Sequence, residues 1–296
     1  MAVNEKRLNI TEFDFDDVKD NLKVFLKNQT EFKDYDFEGS GMSILLDVLA
    51  YNTHYLGFNA NMLANEMFLD SASLRSSVVS HAKTLGYEVT SARSPIATVN
   101  VALSTTDSSK TMPAGTAFST TVDDVSYQFV TIADTTASGS GGVVTFNNVK
   151  IYEGTYITSK YLVDTSDVAQ RFLLPDSRVD TSTLKVQVQN SASDSTVATY
   201  TKATDISQIS STSSVYFLQE VENGRHEVYF GDGNVSKALS DGNIVILNYV
   251  VTNKTASNGA STFSAPSSID GVSDITVTTV VSAGGGAEPE LSLIHI

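Results

Sequence analysis

The apolar positions of this 296-residue chain recur in steps of three and four up to Pro95, and in steps of two after it. Residues 11–27 predict a first amphipathic helix. Val18, Leu22, Phe25 and Leu26 share a face, and Asp14, Asp16 and Asp17 stand near its start, where the helix dipole favours anions. A hairpin of two further helices is predicted over 41–87. In its first arm Ile44, Leu45, Val48, Leu49, Leu56, Met62, Leu63 and Met67 lay down an apolar stripe. Asn52, Asn59, Asn61 and Asn65 interrupt that stripe, with Thr53 and His54 beside them. Asparagine competes with the backbone for hydrogen bonds inside a helix, so this many in one helix need a reason. Asp70 and Ser71 offer N-cap oxygens for the second arm, which carries Leu74, Val78, Ala82 and Leu85. Lys83 suits the last turn and Gly86 the C′ position that follows.

Pro95 disfavours helix at the residue before it and marks the change of period. Alternation predicts strands at 97–103, 127–132, 143–146 and 149–152, with a turn at 112–115 and a flexible loop at 138–142. More strands are expected at 171–174, 183–189, 197–200, 215–220, 227–230 and 243–252, and another at 275–281. The predicted class is α+β. A helical domain, 1–94, precedes two small, mainly antiparallel, sandwich-like β-domains at 95–165 and 166–264. The stretch 265–296 reads as the start of a further, truncated domain that packs poorly. Its last six residues, 291–296, have the wording of a translated sequencing adapter, so His295 carries no weight.

Composition narrows the function. There is no cysteine, which removes disulfides, thiolate metal sites and thiol nucleophiles, and suits assembly in a reducing cytoplasm. The formal charge of −15 repels phosphate backbones and argues against nucleic-acid binding. No apolar run reaches the roughly eighteen residues of a membrane span, which predicts a soluble chain without a membrane partner.

The chemistry-bearing residues do not converge on a reaction. His54, His81, His226 and His295 form no metal-ligand spacing, and there is no nucleophile elbow. His226 and Glu227 read as a solvent-facing pair, and Asp123–Asp124 as turn residues. In 229–235 the Asp-Gly of Phe230-Gly231-Asp232-Gly233 signals a tight turn. A cation site on Asp232 and Asp241 would lack the alternating ligands and closing Glu of a calcium loop, so the turn is preferred. The expectation is no enzyme, no cofactor, no metal and no small-molecule substrate.

Two features point to partners. Phe32, Tyr35 and Phe37 alternate with polar residues ahead of the hairpin, either as an arm that plugs rings into a groove or as a loop packed on its own helices. Asn52 and Asn59 stand seven residues apart, close to one face, whereas Asn65 lies well round from them. They are either paired amides at a helix–helix contact or solvent-facing residues; both readings stand. The candidate interface is therefore Asn52, His54, Tyr55, Asn59 and Asn65 with Phe32, Tyr35 and Phe37.

The words Leu49-Ala-Tyr-Asn-Thr53, Ala64-Asn-Glu-Met-Phe-Leu69 and Leu85-Gly-Tyr87 resemble the N-terminal helical region of the baseplate wedge subunit of contractile-tailed bacteriophages. The Phe-Gly-Asp-Gly turn, with Leu239-Ser-Asp-Gly242 after it, is similar to a motif of the related baseplate J-like proteins. The resemblance implies a structural role in the virion tail. The helices would bundle with a second copy and with other wedge proteins, and the β-domains would serve as spacers. The alternative of another class is a glycan- or surface-binding adhesin, which predicts aromatic residues clustered on exposed loops of 95–264. A glycan-cleaving enzyme is a third reading, for which no carboxylate pair presents itself.

Overall fold

A computed structural model describes residues 14–27, 40–167, 169–204 and 209–290. The chain divides into a helical unit, up to Glu88, and a β unit over Val89–Leu291. Phe32, Tyr35, Phe37 and the last six residues lie outside the described part.

The helical unit holds α1 (Phe15–Lys27), α2 (Gly41–Glu66) and α3 (Arg75–Thr84). Ser40 caps α2, its Oγ accepting from the Ser43 amide at 3.1 Å. Helix α1 packs on α2 with Val18 buried, while Leu22 and Leu26 are half-covered and Phe25 stays in solvent. Lys19 bridges to Asp47 across the two helices at 2.5 Å.

The start of α3 departs from expectation. Asp70 and Ser71 fall in an intervening turn, and the cap position is held by Leu74, which has no side-chain cap of its own. The Glu66 carboxylate supplies it instead, accepting from the amides of Ser73 at 2.9 Å and Leu74 at 3.1 Å and from the Ser73 hydroxyl at 2.8 Å. The far end is as expected. Gly86 takes φ +78°, and the bonds Tyr87 N–H to Ala82 and Gly86 N–H to Lys83 close a Schellman motif.

The β unit contains two seven-stranded sheets. The first is built from β1 (Ile96–Ser104), β2 (Ser109–Met112), β3 (Ala117–Val122), β4 (Val125–Val130), β5 (Thr135–Ser140) and β6 (Val143–Glu153), with the late strand β14 (Ile275–Gly284) on its edge beside β1. The second runs, in spatial order, β7 (Thr155–Leu162), β13 (Ile244–Val251), β9 (Val179–Gln189), β10 (Val197–Lys202), β11 (Val215–Glu220), β12 (His226–Tyr229) and β8 (Phe172–Leu174). All pairings are antiparallel except β10 with β11. One core gathers Phe118, Phe129, Phe146, Leu103 and Ile151, the other Phe172, Leu174, Tyr249, Leu247 and Val228.

Four details differ from the sequence expectations. The strands read as 143–146 and 149–152 are one strand, β6, irregular where Asn148 takes φ +54° and donates its amide to the Asn100 side chain. The loop read at 138–142 is mostly β5, and only Gly141 and Gly142 turn, with positive φ at both. The crossing between sheets falls at Gly154 rather than near residue 165, because 155–162 pairs along β13. A Cβ at Gly154 would stand 2.2 Å from the Val251 carbonyl. Finally, 275–284 is not poorly packed: Val277 lies opposite Val101 and Ile275 opposite Leu103, closing the first sheet.

A polar junction joins the ends of β6, β9 and β13. The fully buried Glu153 accepts from the Thr252 hydroxyl at 2.7 Å, the Asn253 amide at 2.8 Å and the Asn253 side chain at 2.7 Å. Buried Asp180 accepts from the Ser94 amide at 2.8 Å and from the backbone and hydroxyl of Ser182. These bonds meet the requirement that a buried carboxylate be fully hydrogen-bonded.

Candidate assembly surface

An α-helix turns about 100° per residue, so the apolar residues of α2 can be placed around its axis. The side covered within the unit is lined by Ser43, Leu46, Ala50 and Gly57, all buried. Three of these four are small. The stripe read from the sequence points the other way: Ile44, Leu45, Val48, Leu49, Leu56, Met62, Leu63 and Met67 are all exposed. Tyr51, Tyr55 and Phe58 stand with them; Leu56 and Phe58 are each 60% exposed and Leu63 68%. The stripe is thus the open face of the helix and not its core contact. A helix that is apolar on every side is ordinarily buried on every side, and this one is covered along one side only.

The open face has an internal order that the sequence reading did not extract. Leu49, Leu56 and Leu63 repeat at seven residues, as do Val48, Tyr55 and Met62 and also Ile44, Tyr51 and Phe58. Asn52 and Asn59 continue the seven-residue row that begins at Leu45, and both are exposed. That row drifts only about 20° per heptad. Tyr51 and Tyr55 stack with ring centroids 6.1 Å apart. The face carries no lysine or arginine, Asp47 is tied to Lys19, and Glu66 is turned to α3.

The other candidate residues separate from this row. Asn61 and Asn65 are half-buried, with the Asn65 carbonyl accepting from the Ser71 hydroxyl at 2.7 Å. His54 is half-buried as well. The His81 Nε2 lies 2.9 Å from the Glu66 carbonyl. On α3, Val78, Val79 and Ala82 are buried, whereas Leu74 and Leu85 are not. The structure brings Asn52, Tyr55 and Asn59 onto one face and leaves His54 and Asn65 off it. The signal that marks the face is the sevenfold spacing of leucines and aromatics, which steps of three and four residues do not isolate.

Among the described residues of the β unit, the exposed large apolar side chains are Val125, Val143, Leu162, Val197, Val235, Val280 and Val281, which are scattered along the sequence and include no aromatic. Phe217, Tyr229 and Arg171 form a ladder on one sheet face, the two rings stacked at 5.2 Å and the guanidinium 4.5 Å from the Tyr229 centroid. The exposed aromatic loops that an adhesin requires are not found there. His226 is buried, not solvent-facing as its alternation suggested.

Residues 14–87, which span α1 to α3, match the helical domain of the gp6-like baseplate wedge proteins. Residues 160–261, which hold most of the second sheet, match the third domain of the bacteriophage baseplate wedge protein gp6. The chain belongs to the gp6-like baseplate wedge family. The baseplate wedge protein gp6 of Enterobacteria phage T4 is 31% identical to it over 307 residues, which cover 93% of this chain and 45% of that relative. The chain therefore spans less than half the length of the curated relative it matches.

Within this gp6-like chain the Phe-Gly-Asp-Gly segment is a packed turn. Phe230 inserts edge-on between Phe172 and Tyr200, at 5.6 and 5.3 Å. Gly231 lies against the buried Ser236, where a Cβ would meet the Ser236 Oγ at 2.1 Å. Asp232 accepts from the Asn234 and Val235 amides at 3.0 and 3.4 Å and from the Asn234 side chain at 3.0 Å. These bonds, the Asn234 amide foremost, hold its carboxyl below the usual range. Gly233, at φ +92°, closes the turn onto the Ser236 carbonyl. Asp241 is engaged elsewhere, accepting from the Thr165 amide at 3.1 Å. The two carboxylates serve separate backbone turns, and no group of three metal-ligating side chains occurs among the described residues.

Proposed function

We propose that this chain is a structural part of a phage tail baseplate wedge, put together in the host cytoplasm and carried in the virion, and that it joins a second copy and other wedge proteins through the open face of α2. The single observation behind this reading is the apolar row from Ile44 to Met67, left in solvent on a well-formed helix. Burying one large aliphatic side chain contributes about 1.5–3 kcal/mol, so a face of this size stabilises a complex strongly. Asn52, Tyr55 and Asn59 lie in that face, and we place His54 and Asn65 at its margin. The Phe230–Gly233 turn is assigned a packing role, with Phe230 against the second core, rather than a contact role. The role needs no catalysis, cofactor, nucleic acid, membrane or small molecule.

The test is co-expression of the full chain with the other baseplate proteins of the same virus. Wild type should co-elute with them in a complex. Tyr55→Asp with Leu56→Asp should elute alone with its far-ultraviolet circular dichroism unchanged. Co-elution of that variant at the wild-type level would refute the reading.

A further inference from the structure

We infer that the cleft beside β3 is a binding site for one neutral sugar ring, a hexopyranose unit of a glycan. This goes beyond the wedge role, which needs no such ligand, and does not depend on the open face of α2.

The site begins with an unfinished strand pairing. β3 is the outermost strand on one side of the first sheet. The segment 262–264 meets its outer edge at one point, where Ser119 and Ser264 exchange both backbone bonds, at 3.2 and 2.8 Å. In an antiparallel ladder the next pair to bond in this way stands two residues along, and here it is Thr121 with Thr262. Among the described residues no backbone bond joins these two. A cleft of about 260 Å³ lies here instead, lined by 119–121, 126 and 262–264.

The lining decides what can fill it. Six of the seven residues carry hydroxyls: Ser119, Thr120 and Thr121 on β3, Ser126 on β4, and Thr262 and Ser264. The seventh is Phe263, whose ring is held edge-on against Phe129 with centroids 4.9 Å apart. None of the seven is charged. An anion would find no cation in this lining, and a formal charge of −15 on the chain around it. A metal ion would find no carboxylate in it. An apolar guest would strip water from the hydroxyls without replacing their hydrogen bonds.

The wall also holds an unmet demand. Thr120 is only 6% exposed, and its hydroxyl is buried with no hydrogen-bond partner among the described residues. Buried polar groups are ordinarily paired, by protein or by something bound. The guest that suits the whole lining is uncharged, donates and accepts at many points, and has an apolar side for Phe263. A pyranose ring has both features, with hydroxyls around its rim and C–H bonds on its faces. The volume lies below the range of about 300–1,000 Å³ usual for larger ligands, which limits the guest to a single ring. An extended peptide is a poorer guest, because the Ser119–Ser264 bonds close the gap at one end.

The test is amide NMR of the isotope-labelled full chain, titrated with methyl α-glucoside, methyl β-galactoside and N-acetylglucosamine. Glycerol serves as an acyclic polyol control. At least one of the three sugars should saturate in the millimolar range and shift the amides of 119–121 and 262–264 ahead of all others. Glycerol should not saturate. Thr121→Val with Thr262→Val keeps the shape of the cleft and removes two hydroxyls, so it should weaken binding about tenfold, as the loss of two hydrogen bonds does. Ser264→Trp fills the cleft from an exposed position and should abolish binding. Circular dichroism verifies that both variants keep the wild-type fold. Absence of a saturable shift with all three sugars overturns the proposal. Saturation centred on other amides, an equal response to glycerol, or binding that neither folded variant weakens overturns it as well.

Discussion

At the scale of single residues, the clearest constraint is the contact between Gly231 and Ser236. Gly231→Ala must push its methyl against both the Oγ and the backbone of Ser236, and should destabilise the β unit by about 1–3 kcal/mol. Gly233→Ala has open space, its nearest neighbour being 3.6 Å away, and carries only the cost of positive φ, about 1–2 kcal/mol. Denaturant titration of the two variants, and of Gly231→Ala with Ser236→Ala, separates crowding from backbone strain, since the double variant should recover part of the loss. The Ser236 Oγ is buried without a hydrogen-bond partner, so Ser236→Ala alone should be close to neutral. Reading Asp232-Gly233 as a turn was possible from sequence because that chemistry is local. The demand at Gly231 was not legible, because its cause lies in a packing contact rather than in Gly231's own φ.

At the scale of elements, the Glu66 cap of α3 gives a pH signature. Burial raises the Glu66 carboxyl pKa, but hydrogen bonds from Ser77, Ser73 and Leu74 outweigh it and bring it down to about 2, from 4.5. A carboxyl whose pKa is depressed by folding stabilises the fold above its unfolded value and loses that contribution as pH falls. The helical unit should therefore weaken between about pH 4.5 and 2. Glu66→Gln should lower its stability by about 0.5–2 kcal/mol at neutral pH, as loss of a cap does, and should flatten that pH dependence in circular dichroism melts. Asp70 and Ser71 are the local cap candidates in the sequence; a cap reaching back seven residues, as Glu66 does, has no local signature. In the β unit, Glu153→Ala leaves the Thr252 hydroxyl and the Asn253 donors without their acceptor and should cost at least about 1–3 kcal/mol, measured by chemical denaturation. Strand β14 shows why sheet membership is harder to read than strand existence, whereas β7 is not among the strands expected from sequence at all. Alternation marked 275–281 as a strand, but which sheet it closes depends on pairing nearly two hundred residues away, with β1.

At the scale of the whole molecule, the two units present different surfaces. The β unit closes its aromatics into two cores and onto one another, while the helical unit leaves a continuous apolar face on α2. The period of that face was visible from sequence, but its direction was not. The positions that face inward are Ser43, Leu46, Ala50 and Gly57, and only Leu46 among them is large, so the size of the apolar residues does not mark the covered side. A stripe wider than its covered side is the sequence signature of a helix finished by a partner. The measurement that tests this most directly is sedimentation equilibrium of the full chain, wild type against Leu56→Glu with Leu63→Glu. The account predicts a wild-type mass above the 31.7 kDa of one chain, and a variant that falls to that mass with its helix content intact. A wild type that remains at one chain, or a variant that associates as strongly as wild type, would contradict it.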